Sequence, residues 1–144
     1  SMGGHIILLM GLNNECCPLS WCANKIKRVV RSTIAAEALS LQEGLEDAIY
    51  HQELINQILQ IPFKIPIIAY VDNHSVVEAL ESTKQVDDKR LRIDLSAIKE
   101  SMIKNEIQSI KWCPGDLQLA NPLTKKGAQC HLLLHTIQKG KIKF

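Results

Sequence analysis

Long apolar runs are missing from this chain. No stretch approaches the roughly 18 apolar residues that a membrane-crossing helix needs, which excludes a helical span. Nothing at its start resembles a secretory leader, and Ser1-Met2 reads as a cloning remnant rather than a targeting signal. The five cysteines (Cys16, Cys17, Cys22, Cys113, Cys130) are odd in number, and no two have C-x-x-C spacing. That argues against a redox dithiol or a paired-cysteine zinc knuckle and for a reduced, intracellular protein, cytoplasmic or nuclear. Aromatic residues are few and scattered (Trp21, Tyr50, Phe63, Tyr70, Trp112, Phe144), which argues against an RNA binder that stacks bases on aromatic platforms. Internal repeats, low-complexity tracts and linkers are absent too. A chain of 144 residues with 46% hydrophobic content therefore reads as one ordinary domain over residues 3–144.

The formal charge is only +2, but the cations come in groups. Lys25, Lys27, Arg28 and Arg31 crowd one segment, Lys89, Arg90 and Arg92 another, and Lys125 and Lys126 a third, with Lys139, Lys141 and Lys143 near the end. Clusters of this kind can track a phosphate backbone and make binding salt-sensitive, although each alone also fits a solvated surface. Cys130-His131 followed by His135 would place both imidazoles on one face of a helix. Without an accompanying acid or cysteine pair, these read as core and surface residues of a terminal helix rather than a zinc site.

The apolar runs His5 to Gly11 and Cys16 to Ala23, split by Gly-Leu-Asn-Asn, predict a β-hairpin. Ser32 or Thr33 can cap a helix reaching Leu59, with Ile34, Ala38, Leu41, Leu45, Ala48, Ile49, Ile55 and Leu59 as its apolar stripe. Glu37 falls beside that stripe, whereas Glu43, Glu46, Asp47 and Glu53 project sideways or to solvent. Pro62 and Pro66 lead into an unbroken apolar strand, Ile67 to Val71, which suits cover on both faces. A capped helix Val76 to Glu81 follows, then a charged amphipathic helix Val86 to Lys104 and a strand Ile107 to Trp112. A loop or helix entry over Asp116 to Lys126 and a final helix His131 to Gln138 complete a mixed α/β layer fold. Asn73-His74-Ser75 matches a glycosylation acceptor only formally, since the chain reads as intracellular.

Asp72 closes the apolar strand, and an acid at the edge of a buried helix face, such as Glu37, requires a positive partner. A lysine or arginine would serve. So would a divalent cation, because a strand-tip carboxylate facing a helix carboxylate is how metal-dependent nucleic-acid hydrolases hold metal ions.

Taken together, Gly3 to Ile7, Pro18-Leu19-Ser20-Trp21, Arg31-Ser32-Thr33-Ile34-Ala35-Ala36-Glu37, Tyr70-Val71-Asp72-Asn73 and Gln118-Leu119-Ala120-Asn121 with Leu123-Thr124-Lys125-Lys126 resemble the ribonuclease H domain of copia-type LTR retrotransposon Pol polyproteins. The resemblance spans nearly the whole chain. It implies a ribonuclease H-like mixed sheet flanked by helices, and hydrolysis of the RNA strand of RNA–DNA hybrids by two magnesium or manganese ions. It assigns catalytic and metal-binding roles to Glu37 and Asp72, and nucleic-acid contacts to the basic groups.

Two departures qualify what it implies. The family's first, central strand and its carboxylate precede the Gly-Gly hairpin, so the expected sheet lacks that strand. Asn121 stands where a final aspartate is usual, and Asp116 is the nearest acid that could replace it. The expected domain is therefore one of impaired or absent nuclease activity with weak metal binding; the alternative is an inactive nucleic-acid-binding or structural module. Expected partners are an RNA–DNA hybrid or other nucleic acid, an upstream reverse transcriptase segment if the chain belongs to a polyprotein, or a second copy filling the open sheet position. No membrane partner is expected.

Overall fold

The first two apolar runs pair as a hairpin. In the computed structural model, which describes residues 1–143, Met2–Met10 (β1) runs antiparallel to Cys16–Lys25 (β2). Asn13 and Asn14 turn the chain in the left-handed region, at φ 56° and 60°, which asparagine enters more readily than most residues. The register slips between Ile7 and Leu8, opposite Pro18, because proline has no N–H for a ladder and is accommodated at a bulge. Met2 pairs with Lys25, and Ser1 O accepts from Ile26 N at 2.9 Å, so the first two residues extend the hairpin.

Ser32 accepts from Ala35 N at 3.2 Å and starts the long helix Thr33–Leu59 (α1). Ala35, Ala38 and Leu45 are buried, whereas Leu59, expected on the buried stripe, is 60% exposed. The helix outruns the layer it covers, and Tyr50, Leu54 and Ile58 are exposed with Leu59. Asn73 caps His74–Glu81 (α2), and Asp88 caps Lys89–Ile103 (α3). Val76, Leu80, Leu91, Leu95 and Ile98 from these helices complete the core with Ile107 and Ile110.

Ile68–Val71 (β3) pairs in parallel with Ser109–Trp112 (β4), a pairing that needs a crossover, here supplied by α2 and α3. The uninterrupted apolar sequence predicts cover on both faces, yet Ile68 is 43% exposed and Ala69, Tyr70 and Val71 are only half-buried. The reason is that, among the described residues, β3 has β4 as its one strand neighbour, the strands forming two separate two-stranded sheets. The architecture is mixed α/β.

After β4 come a 3-10 turn, Gly115–Leu117, and the helices Asn121–Thr124 (α4) and His131–Lys139 (α5). The stretch from Gln118 to Thr124 links the two strand pairs. Gln118 Nε2 donates to Tyr70 O at 3.1 Å, on the edge of β3 away from β4. Thr124 packs on Gly4, where a methyl group would lie 2.6 Å from Thr124 Cγ2, so glycine permits this approach of α4 to β1. Beyond α5, Gly140 O accepts from Cys16 N and Ile142 N donates to Asn14 O.

Asp47, expected to point aside or to solvent, instead ties the hairpin to α1. Its Oδ2 lies 2.8 Å from His5 Nε2 and accepts from Ser20 Oγ at 3.0 Å, while its Oδ1 is 3.1 Å from His51 Nδ1. Burial opposes ionisation, but the hydrogen bonds from His5 and Ser20 and the charges of His51 and His5 prevail and hold the carboxyl below its ordinary value. A carboxyl lowered on folding contributes stability above the ordinary value of 3.8 and loses it as pH falls through the folded-state value. Asp47→Ala is expected to cost about 1–3 kcal/mol in urea unfolding at neutral pH and to flatten the acid limb of the stability profile.

Candidate functional site

Three segments distant in sequence meet at the N-terminal part of α1. Glu37 is half-buried next to Ala38, which is fully buried. Asp72 closes β3 just before the Asn73 cap of α2, and its side chain is 17% exposed. Asn121 opens α4. A methyl group built on Gly115 would lie 3.8 Å from Asp72 Oδ2 and 3.9 Å from Asn121 Nδ2, so the two side chains face each other across that glycine.

Glu37 and Asp72 are close enough to interact electrostatically. Burial first, and then the negative charge of Asp72, push the Glu37 carboxyl above its ordinary value, while Lys125 opposes them. Lys125 Nζ stands 3.7 Å from Asp72 Oδ2. The wall of the site adds Trp112, whose Nε1 donates to Asp72 O at 3.3 Å, and the buried Cys113, whose thiol is raised by burial and then by Asp72.

Asn121 has work that an aspartate could not do. Its Nδ2 donates to Gly115 O at 2.7 Å, fastening α4 to the preceding 3-10 turn. A carboxylate there would have no proton to donate and would face a carbonyl oxygen. The proposed stand-in, Asp116, is exposed on that turn, and it is Asn121 that shares the space around Gly115 with Asp72.

Magnesium favours octahedral coordination by hard oxygens, and a pair of such ions needs several charged ligands. The residues present do not fit that pair. Two carboxylates face one ammonium, which leaves a single net negative charge when Glu37 is ionised, and the amide of Asn121 is turned to Gly115 O. Among the described residues no cluster of three or more His, Cys, Asp and Glu is arranged to hold a metal ion, and all five cysteines are free. His131 and His135 are both exposed on α5.

The basic clusters fare differently from one another. Arg28 is turned inward: it pairs through both guanidinium ends with Asp94, whose side chain is 5% exposed. Arg92 is half-buried and reaches Gln85 Oε1 at 3.4 Å. Lys25, Lys27, Arg31, Lys89, Arg90 and Lys126 are exposed, and Lys125 is exposed except for its pairing with Asp72. Arg31 and Arg90 both lie near Asp88, whose carboxyl is lowered chiefly by hydrogen bonding from Leu91 N. One member of each of two clusters separate in sequence thus lies near the same acid, beside the start of α1. The aromatic residues Trp21, Tyr50, Phe63 and Trp112 are exposed, Tyr70 is half-buried, and Phe144 lies outside the described residues.

A carboxyl raised on folding contributes stability below the ordinary value, here 4.5, and loses it as pH rises through the folded-state value. Asp72→Asn removes a repelling charge and is expected to lower the Glu37 midpoint in a carboxyl NMR titration, whereas Lys125→Gln is expected to raise it. Unchanged midpoints in both variants would mean that these side chains do not share a site.

Among the described residues no helix is long and apolar enough to cross a membrane. The chain matches no family model, no curated protein and no solved structure.

Proposed function

We propose that this chain is a ribonuclease H-like domain of copia-type retroelement descent, whose carboxylate centre has degenerated and whose remaining activity is nucleic-acid binding. The observation that carries this reading is the meeting of Glu37, on a helix, with Asp72, at a strand tip, beside a cationic surface. Two acids forced together at the edge of a core destabilise a fold that has no use for them, so their placement is a mark of ancestry in metal-assisted hydrolysis. On this reading the antiparallel and parallel strand pairs are the two halves of one mixed sheet around an open position, and the Gln118 to Thr124 stretch closes over that position.

Hydrolysis of the RNA strand of a hybrid requires charge to be stabilised on the attacking and leaving oxygens. A site of one net negative charge holds a pair of magnesium or manganese ions poorly, which favours binding without cleavage. The exposed cations Lys25, Lys27, Arg31, Lys89, Arg90 and Lys126 would contact phosphates and read no sequence.

Fluorescence anisotropy with a labelled RNA–DNA hybrid across a potassium chloride series tests the reading. Affinity should fall steeply with salt, and Lys27→Ala and Arg31→Ala should each reduce the slope by about one. Arg28→Ala should instead act on folding, costing about 3 kcal/mol in urea because it strands the buried Asp94. No hybrid cleavage is expected with magnesium or manganese. Cleavage that disappears in Asp72→Asn would return the chain to the enzymes, and salt-independent or absent binding would remove the nucleic-acid role.

A further inference from the structure

We infer that Lys125 is the built-in counter-ion of the carboxylate site: its ammonium, 3.7 Å from Asp72 Oδ2, neutralises charge that a divalent cation would otherwise take up, and so competes with such a cation for Asp72 and Glu37. The inference rests on the reading of these two acids as a former metal centre, and it adds what now fills their electrostatic need.

The backbone brings this lysine to the site. Lys125 is the residue that ends α4, and its N–H donates to Asn121 O at 3.0 Å. Asn121 is itself fastened to Gly115 O through its side-chain amide, and the last turn of α4 is pressed against Gly4. The amide that stands in the place of an acid therefore anchors the short helix that delivers the cation. One substitution pattern both removes a negative charge and secures a positive one. Lys126, the next residue, is exposed, so the two adjacent lysines are not equivalent.

Charge arithmetic supports the same assignment. Burial and mutual repulsion disfavour ionised Glu37 beside Asp72, and Lys125 acts in the opposite direction on Glu37. An ammonium near a carboxylate pair repels an arriving dication. Its side chain is 60% exposed, so it can swing into solvent and yield the site at moderate cost. Competition of that kind lowers divalent affinity by roughly ten-fold rather than abolishing it.

Manganese binding to the full chain, followed by the paramagnetic resonance signal of free Mn2+, tests this without recourse to activity. Lys125→Gln should bind Mn2+ roughly ten-fold more tightly than the unsubstituted chain. Lys125→Arg, which keeps the charge, should stay close to the unsubstituted chain. Asp72→Asn placed in the Lys125→Gln background should remove the gain. Equal affinities in the unsubstituted, Lys125→Gln and Lys125→Arg chains, still lost with Asp72→Asn, would overturn the counter-ion role and leave the metal-centre reading standing. Binding in Lys125→Gln that ignores Asp72→Asn, or no binding at all in Lys125→Gln, would overturn both.

Discussion

Among the described residues the two strand pairs exchange no backbone hydrogen bonds, so their relative geometry depends chiefly on α1. One side of the helix packs Ala35, Ala38 and Leu45 into the core that β3, β4, α2 and α3 complete. Another holds the hairpin by Gly3 and Gly4 against Ser40 and by His5 and Ser20 against Asp47. The two sets of anchors alternate between Ala35 and Asp47, so one part of the helix serves both through different sides. Because Glu37 lies between the buried Ala35 and Ala38, its position relative to Asp72 is inherited from the helix rather than from any strand ladder.

That dependence explains the electrostatic character of the site. A helix and a strand tip bring two like charges together, and the fold offsets the repulsion with a lysine at the end of a third element, α4, its side chain largely exposed. The centre therefore combines fixed acids with a cation whose side chain reaches in from solvent. The basic surface has the same logic. Arg28 is spent internally on Asp94, which pins the segment after β2 to α3, and its neighbours Lys27 and Arg31 are left facing water.

What could be read from the residues alone was whatever depends on near neighbours. Ser32 and Asn73, each one of two cap candidates, cap α1 and α2, because cap chemistry is settled within a turn, whereas Asp88 falls inside the expected helix Val86 to Lys104 and instead caps α3. The role of Asp47 is not legible in this way, because its partners His5 and Ser20 lie 42 and 27 residues away, and helical periodicity places a side chain on a face without saying what else arrives there. The apolar run of β3 reports composition but not how many strands flank it. Glu37 and Asp72 were suggested by their settings, on a helix edge and at a strand end. Which of Lys125 and Lys126 turns inward depends on where α4 is fastened, and that is decided by the amide of Asn121 and the bare backbone of Gly4.

The Gln118 contact with Tyr70 O carries a consequence for behaviour at high concentration. Peptide groups along an uncovered strand margin invite another chain to add itself, which is how ordered aggregates are seeded. Here a single carboxamide sits across that margin and denies a foreign strand one of its bonding positions. A change at that glutamine would reopen the position, a consequence felt between molecules rather than within one.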